Sequence, residues 1–159
     1  MLWIGNGALH VRDLVKHKQV QRPCQSLAKN PNTVAFSLDR RLVAFGGDEG
    51  FIPVVDVTTG KEMCRFDKLP KGYEGLVHAL DFSSDGRLLA WTMGAEGTVH
   101  IGEVATGREV HRLTGCGGAG YALSFSGDGK LLVAGAQDTT ALLWDARTLR
   151  NADGPPSTK

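Results

Sequence analysis

Between Tyr121 and Asp145 the hydrophobic and polar positions fall into three short runs separated by turns. Residues 121–126 alternate, with Leu123 and Phe125 on one face and Ala122, Ser124 and Ser126 on the other, the period-2 signature of a strand. Gly127-Asp128-Gly129-Lys130 supplies the positive-φ positions that a tight hairpin needs. Residues 131–135, LLVAG, are continuously apolar, which predicts a strand covered on both faces. Gln137-Asp138-Thr139 is the next turn, and Ala141 to Trp144 is a third strand ending on Trp144-Asp145.

The same template fits residues 80–104 and again residues 35–57. Phenylalanines recur at 36, 82 and 125, and acidic strand ends at 13, 56, 103 and 145. A spacing of roughly 40–45 residues with four short strands per unit is the pattern of propeller blades.

These features resemble the WD-repeat β-propeller family. The F-S-x-D-G turn occurs at Phe82 to Gly86, including Asp85 and Gly86, and at Phe125 to Gly129. An Asp precedes the third strand at Asp48 and Asp138, Asp56 and Asp145 end third strands, and Trp144-Asp145 gives the pair its name. A T-G-x-E link to a fourth strand recurs at Thr59 to Glu62 and Thr106 to Glu109. The resemblance implies an all-β, partial arc of roughly 3.5–4 four-stranded antiparallel blades. It covers residues 1–149, with a partial blade over 1–32, repeats over 33–66, 77–113 and 121–149, and a disordered tail over 150–159.

The family's His–Ser/Thr–Asp–Trp network is incomplete in every repeat. In the third repeat Asp138 and Trp144 match, but Gly115-Cys116 stands for Gly-His and Ala134 for the Ser or Thr. The second repeat has Gly72-Tyr73, Glu96 and Gly102, and loss of the tryptophan at 102 removes a large packing anchor. Packing must therefore hold the blades, and modest stability is expected. Within the first repeat, Leu38-Asp39-Arg40-Arg41 lacks the turn glycine, so it needs another turn type or a strained positive φ. Pro53 belongs at a non-bonded or bulged position, because it cannot donate to a ladder.

Composition narrows the chemistry. With 18 cationic and 17 anionic side chains the formal charge is +1, so no global field recruits nucleic acid or an acidic membrane surface. Three cysteines, at 24, 64 and 116, make neither a CxxC pair nor an even disulfide framework. The first residues lack a basic leader followed by an apolar core, and no apolar run reaches membrane-span length. A cytoplasmic placement is expected.

No catalytic, cofactor or metal site is expected. Gly115 to Gly120 satisfies G-x-G-x-x-G, but the residues after it read as a strand, whereas a dinucleotide site needs a helix there. The histidines at 10, 17, 78, 100 and 111 lack metal-ligand spacing. His78 reads as a loop or rim residue. Cys116 has no His partner in sequence, and Asp39, Asp85 and Asp128 are turn residues rather than a carboxylate dyad. The basic run Arg12, Lys16, Lys18, Arg22 is interrupted by Asp13 and has no interleaved aromatic, so it reads as a solvated face. The loop around Lys71, Tyr73 and Glu74 has the composition of a partner-contact patch, against the plainer reading of an ordinary exposed loop.

The family resemblance implies a non-catalytic scaffold or interaction module that presents inter-blade loops to a protein partner. A regulatory or targeting segment of a larger enzyme (kinase, protease or hydrolase) and a truncated fragment without independent function are the alternatives. Neither apolar end, Met1 to Ile4 or Ala141 to Trp144, has a polar cap, so self-association, pairing with a missing part of a longer chain or aggregation is expected.

Overall fold

The computed structural model describes residues 2–5, 8–12, 19–23, 31–67, 75–95 and 97–150, the first three stretches as backbone only. The described residues form four antiparallel sheets. β1 (Leu2–Gly5), β2 (Ala8–Arg12) and β3 (Gln19–Pro23) make a three-stranded sheet, with Leu2 opposite Val11 and Val11 opposite Val20. β4 (Thr33–Phe36), β5 (Leu42–Gly46), β6 (Ile52–Asp56) and β7 (Glu62–Phe66) follow as a four-stranded meander. A second meander comprises β8 (Val77–Phe82), β9 (Leu88–Met93), β10 (Val99–Glu103) and β11 (Arg108–Leu113). The last sheet is β12 (Gly120–Phe125), β13 (Leu131–Ala136) and β14 (Ala141–Asp145). A 3-10 helix at Ala146–Arg150 ends the described chain, one residue into the stretch expected to be tail; 151–159 lie outside the described residues. The fold is all-β, and its repeated meanders are those of a partial propeller.

The three later sheets pack face to face, with their first strands side by side: β4 against β8 and β8 against β12. Strand alternation explains how one sheet serves two interfaces. On β9, Leu89, Trp91 and Met93 join a core with Ala35, Ala44, Ile52, Val54 and Phe66 of the sheet before it. Leu88 and Ala90 of the same strand point the other way, into a core with Phe125, Leu132 and Ala134 of the sheet after it. Every residue of β9 is consequently buried. Polar links cross both interfaces: Val77 N–H donates to Gly47 O at 3.0 Å, and Thr92 Oγ1 donates to Gly120 O at 2.6 Å.

The last sheet departs from expectation. Leu131 to Gly135 was the run expected to be covered on both faces, yet β13 alternates, with Leu132 and Ala134 buried and Leu131 and Val133 exposed. Its apolar run is intrinsic to the repeat, but only one neighbouring sheet lies against it among the described residues. Pro53 behaves as expected: the β5–β6 ladder ends at Val54, and β6 bulges against β7 between Val54 and Val55.

In the three later sheets the hairpins joining the first to the second strand are built alike. Ser37, Ser83 and Ser126 donate from Oγ to Asp39, Asp85 and Asp128 at 2.6, 2.7 and 2.6 Å. Each serine oxygen also accepts the N–H of the residue opening the next strand, Leu42, Leu88 or Leu131, at 2.9 to 3.0 Å. The left-handed position is glycine in two turns, Gly86 (φ 70°) and Gly129 (φ 68°), and Arg40 (φ 60°) in the first. A side chain costs about 1–2 kcal/mol in that conformation, partly offset by the greater unfolded-state entropy of glycine. Arg40→Gly should therefore raise the urea midpoint, by up to about 1 kcal/mol of stability, with no change in m. A lowered midpoint would show that the arginine side chain holds the turn.

Candidate interaction surfaces

The strand-end and turn acids act locally. Asp56 is buried and its Oδ1 accepts the N–H groups of Thr58 and Thr59, both at 2.8 Å. The Thr59 amide leads the contributions that hold its carboxyl below the usual range. Asp145 accepts the Arg147 guanidinium and amide, which bring its pKa to about 2. Asp128, bonded by Ser126 and Lys130, also falls to about 2. Asp85 sits in its Ser83 turn beside Gly86, and Asp48 is exposed in the bend between β5 and β6. Asp56, Asp128 and Asp145 stay ionised near neutrality because the hydrogen bonds that close their turns favour the carboxylate, which is structural work rather than acid–base chemistry.

Asp138 does more than close its turn. It accepts from Thr140 N at 3.0 Å and Thr140 Oγ1 at 2.6 Å, and the Gly117 amide also helps lower its pKa. Gly117 lies so close that a Cβ there would overlap the Asp138 carboxylate. Where the resemblance places a histidine side chain, the loop supplies a backbone amide instead. The glycine-rich stretch leads straight into β12, so no helix N-terminus faces it. Cys116 beside it has its pKa raised by burial and by Asp138, and Cys64 is pushed up to about 11, so both are protonated thiols rather than nucleophiles at neutral pH.

The packing anchor of the central sheet moved to a neighbouring strand. Gly102 does not leave a hole: the Phe66 ring lies against it so closely that a Cβ would overlap the ring. Phe66 in turn sits 5.1 Å from Trp91, which is fully buried and stacks on His100 at 5.4 Å and 10°. His100 pairs with Trp91 across the β9–β10 ladder, and its Nδ1 lies 2.9 Å from Glu109 Oε1. Burial pushes Glu109 up, but bonds from Arg112 and His100 outweigh it and hold the carboxylate below its usual range. Trp144, the tryptophan of the Trp-Asp pair, is only partly buried, packed against the second core from one side. Sequence reading fixed on Trp144 through its Trp-Asp signature and missed Trp91, whose only signal was its place in an uninterrupted apolar run.

His78 is on β8 rather than in a loop, half-buried with its ring edge-on to Tyr121 at 5.2 Å. Lys71, Tyr73 and Glu74 lie outside the described residues. Among the described residues no group of three or more His, Cys, Asp or Glu could hold a metal, and no helix is long and apolar enough to cross a membrane.

Two surfaces remain after these local roles are assigned. One is the outer face of the last sheet, where Val133 and Leu143 pair across β13–β14 at 37% and 63% exposure and Leu131 lies beside them at 41%. The other is a cleft of about 130 Å³ where the first hairpin turns of three consecutive sheets converge, with Phe36, Phe82 and Phe125 among its walls.

Comparison with known proteins agrees with the strand pattern. The model of the WD domain, G-beta repeat, matches residues 107–145, which run from the turn before β11 to the end of β14. The chain belongs to the WD-repeat family. Its relatives include transducin beta-like protein 3 of Bos taurus, 29% identical over 119 residues, which are 74% of this chain and 14% of that protein. The periodic tryptophan protein 2 homolog of Dictyostelium discoideum is 26% identical over 132 residues, 81% of this chain and 14% of that one. The WD repeat-containing protein SL1-17 of Schistosoma mansoni is 33% identical over 116 residues, covering 72% and 36%. The aligned part thus spans about one seventh of the first two relatives. This WD-repeat chain departs from the family pattern at Arg40, Gly102 and Cys116, each with the local substitute described above.

Proposed function

We propose that this WD-repeat chain is a non-catalytic interaction module whose last sheet docks protein, either a second copy or a partner. The observation that carries the reading is the one-sided covering of β12–β14. In the middle sheet both faces bury apolar residues, whereas Leu131, Val133 and Leu143 of the last sheet face outward. Unmatched apolar faces at the end of a repeat array are where a neighbour belongs. The turn acids and raised thiols described above favour a binding role over catalysis. The short share of its relatives' length favours a second reading of the same face, in which an adjoining repeat of a longer protein covers it.

Sedimentation at micromolar concentrations tests the proposal. The chain should sediment as a concentration-dependent associating species, and Leu143→Glu, on a position already 63% exposed, should return it to monomer without unfolding it. A wild-type monomer across that range, unchanged by Leu143→Glu, would refute docking of a second copy on this face.

A further inference from the structure

The cleft between the hairpin turns holds one ionisable group among its lining residues, Asp81. Its Oδ2 accepts the Phe125 amide at 2.7 Å, tying β8 to β12. Ser124 and the Phe82 amide also act to lower its pKa, yet burial dominates and raises it. A carboxylate can accept at about four sites, so the bond from the Phe125 amide leaves capacity for a further donor. No cation pairs with Asp81 among the described residues. Two cations of the flanking turns face other acids: Lys130 lies 3.2 Å from Asp128, and Arg41 lies 3.8 Å from Asp56. A partly desolvated carboxylate without a counter-ion is a costly group, and an incoming cation would relieve that cost.

The remaining walls are apolar and accessible. Phe36 is 41% exposed and Leu38 70%, while Phe82 and Phe125 form the buried back of the cleft. At about 130 Å³ the space is below the roughly 300–1,000 Å³ of cofactor and drug-sized sites. It is close to the roughly 150 Å³ cavity that takes a benzene. One side chain fits. An apolar stem ending in a cation matches the wall and the floor together, as long basic side chains do when they lay their methylenes on apolar surface.

We propose that this cleft receives a lysine side chain of a protein partner, with the ammonium at Asp81 and the methylene stem against Phe36 and Leu38. The proposal rests on the interaction-module reading but concerns a different surface from the β13–β14 face. A small-molecule titration therefore tests the cleft alone: its failure leaves the docking of the last sheet standing, and monomeric sedimentation would leave the cleft standing.

The experiment titrates the full chain with Nα-acetyl-lysine methylamide and with the uncharged Nα-acetyl-norleucine methylamide, following amide resonances by NMR. The lysine compound should give saturable shifts at Phe82 and Phe125 and bind at least about tenfold more tightly than norleucine. Asp81→Asn retains an acceptor for the Phe125 amide and should abolish that tenfold preference. Leu38→Ser, at an exposed turn position, should weaken both compounds together. Equal binding of the two compounds, a lysine preference that survives Asp81→Asn, or no saturable shift would each overturn the proposal. If Asp81→Asn unfolds the chain, the Leu38→Ser arm and the lysine-to-norleucine ratio in the wild type still decide it.

Discussion

Trp91→Ala should cost about 3–5 kcal/mol, the range for deleting a large aromatic from a close-packed core. Trp91 is fully buried, lies 5.1 Å from Phe66 and stacks on His100, so its removal would open a cavity between two sheets and strip the lining of its packing contacts. Trp91→Phe should cost much less, because it keeps a ring and removes an indole N–H that is buried with no hydrogen-bond acceptor. Trp144→Ala should also cost less than Trp91→Ala, since Trp144 is packed from one side only. Urea unfolding of the three variants checks the order. A loss larger for Trp144→Ala than for Trp91→Ala would return the packing anchor to the Trp-Asp strand.

Gly102→Trp restores the residue that the WD-repeat pattern puts at this position, and it should nevertheless destabilise. Any Cβ at 102 overlaps the Phe66 ring, and Phe66 is itself held at 2% exposure with no room to withdraw. Even Gly102→Ala should cost about 1–3 kcal/mol, the usual range for overpacking a filled core. In a Phe66→Leu background the added cost of Gly102→Ala should shrink by about 0.5–3 kcal/mol, because neighbours that share one space are coupled. Additive effects in the double mutant would show that Phe66 does not occupy the missing tryptophan's place.

The fold was legible because its signals are local and repeat in register. The Ser-x-Asp hairpins, Asp56 with its threonines and the Pro53 irregularity each need only a few consecutive residues, and the sequence carries them intact. What sequence could not show are relations between residues far apart in the chain. Phe66 over Gly102 joins positions 36 residues apart on two sheets, and the Asp81 bond to the Phe125 amide spans 44. Nor does an apolar run reveal how many faces are covered. LLVAG at 131–135 and LVAFG at 42–46 read alike, yet the first alternates between buried and exposed while the second has only Leu42 partly exposed.

Amide hydrogen exchange measured as a function of protein concentration tests the central claim, that the last sheet is an open face awaiting a neighbour. Amides of β9, covered on both sides, should exchange slowly at every concentration. Those of β13 and β14 should exchange quickly in dilute protein and slow down as concentration rises into the associating range. Slow exchange in β14 equal to that in β9, in a dilute sample sedimenting as monomer, would contradict it.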